Sequence, residues 1–217
     1  MRTLLALLLL ILSAVAAAAQ SSGSPGDTAR SAPSSRQPAT PFGFRMGMSL
    51  SDIRARFSAT PVEGSPGAFR LTSAPATHPE FESYLLVFSP SQGLCKVVGI
   101  GRNFETSDFG TQVRSHYENI KNALVQRYGP GEEYDYVRAG SLWEESRYFM
   151  MGLSRGDRTL QTFWIRQKRP DLPENISAIG VQAKAASIRE AYINVSYEFS
   201  NFERCTAERE QSQNSVF

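Results

Sequence analysis

The sequence predicts an α+β domain, with a mostly antiparallel sheet of about six strands and one long and one short helix packed on one face. Three observations predict it. Apolar runs at 81–88 and 94–104, at 147–153 and 159–166, and at 176–185 and 190–199 come as neighbouring pairs joined by short segments. Val113, Tyr117, Ile120, Leu124 and Tyr128 recur at spacings of four, three, four and four, which is one apolar face of a helix over 109–128. Strands and helices do not alternate regularly, as a doubly wound parallel sheet would require.

Taken in order, Met1-Arg2-Thr3 precedes an apolar run from Leu4 to Val15 broken only by Ser13, and Ala17 and Ala19 supply an A-x-A pattern. That is the layout of a signal peptide over 1–19. The run is too short for a membrane anchor, which needs about twenty apolar residues. No cysteine before Cys95 could carry a lipid, so the mature chain is expected to be exported without membrane insertion. Residues 20–41 are almost all Ser, Gly, Pro, Ala, Thr and Gln, and they predict a disordered linker.

The domain is expected over 42–205. It opens on an alternating arm, Phe42 to Met48, and Ser49 with Asp52 three residues on predicts a capped short helix carrying Ile53 and Phe57. Ala68–Leu71 reads as a short strand, and Ser89-Pro90-Ser91-Gln92-Gly93 as the turn of the first hairpin. Asp108 is the expected cap of the long helix, and Gly129-Pro130 ends it. Ser154 to Arg158 is the expected turn of the second hairpin. In the last strand Ala191, Ile193, Val195, Tyr197 and Phe199 alternate with polar-tipped residues, which predicts one buried and one wet face. The polar residues 206–217 are expected to fray.

Composition narrows the function. A formal net charge of +2 and no cluster of Lys and Arg argue against a nucleic-acid surface. Cys95 and Cys205 in an exported chain predict a disulfide, worth roughly 4–5 kcal/mol by closing a long loop. Two buried free thiols are the alternative. The two histidines, His78 and His116, have no partner at metal-ligand spacing, and no calcium-loop pattern occurs, so neither metal nor cofactor is expected.

Short motifs have plainer explanations. Gly99-Ile100-Gly101 lacks the third glycine of a dinucleotide fingerprint, because Phe104 stands there. Arg155-Gly156-Asp157 fits turn chemistry, and the sequons at Asn175 and Asn194 carry no meaning in a bacterial chain. No G-x-S-x-G occurs to present a nucleophile, and no catalytic residue is assigned. The richest chemistry lies at 132–149. Tyr134, Asp135, Tyr136, Trp143, Glu144 and Glu145 mix aromatics with acids and are the candidate binding residues for a sugar, a peptide or a cation. Glu132, Glu133, Asp135, Glu144 and Glu145 also hold the carboxylates that a hydrolase of the cell envelope would need.

The segment Phe42-Gly43-Phe44-Arg45-Met46-Gly47-Met48-Ser49, followed by Ile53 and Phe57, is similar to the G-M-S opening of small outer-membrane assembly lipoproteins and of β-lactamase-inhibitor-like modules. The chain departs from the first by lacking a lipidated cysteine and from the second by lacking a second G-M-S repeat. Phe81-Glu82, Gly93-Leu94-Cys95-Lys96, Tyr128-Gly129, Gly140-Ser141-Leu142-Trp143 and Tyr197-Glu198-Phe199 together resemble uncharacterised exported proteobacterial proteins. That resemblance implies an exported α+β domain and no particular activity. The expectation is therefore a non-enzymatic periplasmic or secreted binding module for a protein or cell-envelope component. The alternatives are an envelope hydrolase with paired carboxylates and an inhibitor or immunity-type protein.

Overall fold

The computed structural model describes residues 37–214; the expected signal peptide and most of the expected linker lie outside the described residues. The chain runs through a 3-10 turn (Pro41–Gly43), α1 (Leu50–Arg54), β1 (Thr60–Pro61), β2 (Ala68–Leu71), β3 (Phe81–Ser89), β4 (Gly93–Gly101) and β5 (Phe104–Glu105). It continues through α2 (Thr111–Tyr128), β6 (Glu132–Val137), a 3-10 turn (Ser146–Tyr148), α3 (Phe149–Arg155), β7 (Arg158–Ile165), β8 (Ile176–Ala185), β9 (Glu190–Phe199) and α4 (Phe202–Asn214). The strands form one sheet in the order β1-β2-β3-β4-β9-β8-β7-β6, with β5 on the end of β9, and every pairing is antiparallel. The class is α+β as expected. The sheet has nine strands among the described residues, not about six, and there are four α-helices, not two.

The expected second hairpin is where the reading of the sequence fails. Residues 147–153 do not form a strand; Phe149–Arg155 is α3, and the partner of β7 is β6, built from the acidic and aromatic segment. A short apolar run cannot be assigned by periodicity alone. Here Phe149 and Met150 are buried, and Gly156 at φ 74° supplies the left-handed residue that closes a helix rather than a hairpin. Its neighbour Asp157 donates its backbone N–H to Gly152 and accepts from Ser141 and Arg138. Arg155-Gly156-Asp157 is thus a helix stop.

Alternation sorts the sheet into two faces. Val97, Ile179, Val181, Val195 and Tyr197 point to the inner face, on which α2 lies across β8 and β9 and α3 across β7 and β8. Two buried polar groups fix the helix layer: the Tyr117 hydroxyl bonds Thr162 at 2.6 Å, and Trp164 Nε1 donates to Gly129 O at 2.7 Å. Ser49 caps α1 as expected, accepting from Asp52 N–H at 3.1 Å. Asp108 does not cap α2. The capping position is Gly110 at φ 69°, where a Cβ would lie 2.1 Å from the Phe149 ring, and Ser107 and Gln112 bond each other's segment instead.

Helices occupy both faces, not one. α4 packs on β3 and β4, with the Phe202 ring 5.1 Å from Lys96 Nζ. Lys96 in turn pairs with Glu198 at 2.8 Å on the face opposite Val97 and Tyr197. Cys95 and Cys205 are both buried and sit at disulfide distance, Cα to Cα 6.5 Å. Of the tail expected to fray, residues 206–214 are helical, and tertiary anchors hold that helix: Asn201 Nδ2 donates to Gln92 O and Leu94 O, and Glu208 accepts from the Ser89 and Ser91 hydroxyls and from Ser91 N–H. The other boundary moves as well. Ala39 is buried, and its N–H and C=O exchange 2.8 Å hydrogen bonds with the Asn175 side chain, so the fold begins before Pro41.

The double variant Cys95→Ala/Cys205→Ala is expected to lose about 2–5 kcal/mol in urea unfolding, since the bridge spans a sequence separation of 110. Alkylation of the native chain without reductant should label neither thiol. Hydrogen bonds from Ser89 and Ser91 hold the Glu208 carboxyl below its ordinary value. Its stabilisation is therefore full above the ordinary glutamate range and is lost as pH falls through the lower folded-state value. Melting temperatures of the parent and Glu208→Gln should differ at neutral pH and converge in acid; a constant offset would remove this role.

Candidate functional site

The residues singled out at 132–149 do not assemble into one site. Tyr134 and Tyr136 pair with Gln161 and Thr159 on the outer face of the edge strand β6, whereas Asp135 pairs with Leu160 and faces the helix layer. Trp143 lies in the following loop, edge-to-face on Tyr148 at 5.5 Å. Glu144 contributes its backbone carbonyl to Arg158, and Glu145 pairs with Arg147 at 3.0 Å. Strand periodicity is the physical reason: neighbours in a strand point to opposite faces.

The acids are matched by separate cations. Glu132 meets Lys168 at 2.5 Å, Glu133 meets Lys121 at 2.8 Å, and Asp135 meets Arg158 at 3.4 Å and Arg114 at 3.8 Å. Hydrogen bonds from Lys168 and Tyr134 hold Glu132 below its ordinary value, the reverse of what a general acid needs. A pair of carboxylates facing each other across a cleft is not built at these positions.

A better-formed site lies on the inner face, between the N-terminal arm, residues 76–81 and α2. It is a cleft of about 560 Å³. Its apolar wall comes from Phe42, Phe81, Ile120, Leu124 and Val195, and its polar groups are His78, Glu80, His116, Arg127, Tyr128 and Tyr197. Both histidines of the chain therefore line one cleft. His116 stacks on Phe104 at 4.1 Å and its Nδ1 lies 3.4 Å from Glu80, while His78 Nδ1 accepts from Glu80 N–H. At the other end burial pushes the Tyr128 and Tyr197 phenols up, so both stay protonated at neutral pH. Arg127 stacks on Tyr128 at 5.3 Å and has no carboxylate partner among the described residues. A larger hollow of about 710 Å³, between residues 105–109 and 187–190, has Phe109 as its only apolar side chain and offers a ligand little to bury against.

The arm that closes the cleft is strained in one place. Phe42 is the one non-glycine residue with positive φ (52°) among the described residues, a conformation that persists only where surroundings impose it. The surroundings are aromatic: Phe81 at 5.1 Å, Tyr84 at 5.0 Å and Tyr197 at 6.0 Å. Beneath the ring is Gly99, where a Cβ would lie 2.6 Å from Phe42 Cζ. Gly101 likewise admits the backbone of Ile193, 2.5 Å from a Cβ built there. The glycine pair that faintly matched a nucleotide motif is thus a packing device. Sequence reasoning missed the cleft because its residues come from four separated segments. The one available signal was Gly99 inside a strand, a mark of close approach.

No known protein family, curated protein or solved structure matches this chain.

Gly99→Ala is expected to cost about 1–3 kcal/mol through overpacking against Phe42. In a double-mutant cycle read by calorimetry, that cost should shrink on a Phe42→Ala background. An undiminished cost would mean that Gly99 does not seat the arm.

Proposed function

We propose that the protein is an exported, non-enzymatic binding module that holds a small cell-envelope molecule in the cleft between the arm and α2. The cleft carries the reading: an apolar wall with a few convergent polar groups is the usual form of a small-molecule site. Export is supported by the signal-like N-terminus and by two cysteines at disulfide distance, a pairing favoured in oxidising compartments. No helix among the described residues is long and apolar enough to cross a membrane. The hydrolase alternative is weakened by the separate ion pairing of its acids.

Native mass spectrometry after incubation with a small-molecule extract of bacterial envelopes tests the reading. The parent should retain an adduct, and Ile120→Trp, which fills the cleft from α2, should not, with circular dichroism confirming that both are folded. No adduct on a folded parent, or equal adducts on both, would defeat it.

A further inference from the structure

The charged and hydroxyl groups of the cleft are unevenly placed, and the placement selects a ligand. The histidine end is internally satisfied, because Glu80 faces His116 and its backbone N–H is bonded to His78. The tyrosine end is not. Tyr128 and Tyr197 bring two phenolic hydroxyls to that end of the cleft. Arg127 is the adjacent cation, it lacks a carboxylate partner among the described residues, and its charge is felt at both phenols. A guanidinium beside a phenolic donor is a receptor for an oxyanion, and a planar carboxylate suits the guanidinium fork. Between these ends run Ile120, Leu124 and Phe81, which offer carbon and no hydrogen bond. The two ends are eleven residues apart on α2, about 16 Å by the helical rise.

We propose, resting on the binding reading above, that the cleft takes an amphiphilic organic carboxylate, its headgroup on Arg127 and the Tyr128 hydroxyl and its hydrocarbon tail along Ile120, Leu124 and Phe81 toward His116. The length matches an extended chain of about twelve carbons. Such ligands arise wherever acyl chains are released from lipids, so the reaction that supplies this one is the hydrolysis of an acyl ester or amide.

Titration calorimetry with dodecanoate and dodecanol, both below their aggregation limits, tests the assignment. Dodecanoate should bind at least about tenfold more tightly than the alcohol, the effect expected of a charge-assisted hydrogen bond. Arg127→Gln, on the exposed rim of the helix, should remove that preference by weakening dodecanoate, and Tyr128→Phe should reduce it. Equal affinity of the parent for acid and alcohol, or a preference that survives Arg127→Gln, would overturn the carboxylate assignment. Binding of neither probe would overturn it too. In each case the binding reading is decided separately, by the retained adduct and its loss in Ile120→Trp.

Discussion

The structure depends on strand β9. It pairs with β4 along one edge and with β8 along the other, and β5 extends the first edge beyond the end of β4. Its alternation is unbroken: Ala191, Ile193, Val195, Tyr197 and Phe199 are all buried, and every residue between them is partly exposed. A slip of one residue would exchange these two sets, so burial fixes the register of the neighbouring strands as well. α2 docks on the inner set, and the Val195 and Tyr197 that bury its apolar face also form the floor of the cleft.

The cleft exists because the arm is held off the helix. Phe42 occupies the space that Gly99 leaves on β4, and its ring contacts fix an otherwise unfavourable backbone. Gly43 follows at φ 79°, against Pro75, and Phe42 O accepts from Ala76 N–H, so the arm and residues 75–76 brace one another. Asn175 clamps the preceding Ala39 through both backbone groups. With the arm anchored at three points, on β4 and on the segments before β3 and β8, a gap to α2 remains.

How much of this was legible in the sequence follows from how local each signal is. The β3–β4 and β8–β9 hairpins, α1 with its Ser49 cap, and the apolar face of α2 were readable, because turn chemistry, capping and periodicity act over a few residues. α3 was not, because Phe149 to Leu153 satisfies a strand as well as a helix until Gly156 is seen to adopt the left-handed conformation. α4 escaped for a different reason: little in 202–214 is apolar, and its anchors, Cys95, Ser89 and Ser91, lie more than a hundred residues earlier. Of the candidate site, the 132–149 segment was visible as composition only. The cleft joins positions 42, 81, 120–128 and 195–197, and no local pattern announces such a union.

The acidic run of β6 shows why composition pointed to the wrong surface. An edge strand presents unpaired backbone groups, and charge along it discourages pairing with another chain. Glu132, Glu133 and Asp135 supply that charge, and each is neutralised from within the fold, by Lys168, Lys121 and Arg158. Charges placed to protect the fold are therefore answered locally. The answering cations come from both faces of the strand, which is what alternation of the acids requires. Arg127 differs from them: it stacks on the Tyr128 ring, it lines an apolar cleft, and it meets no carboxylate among the described residues.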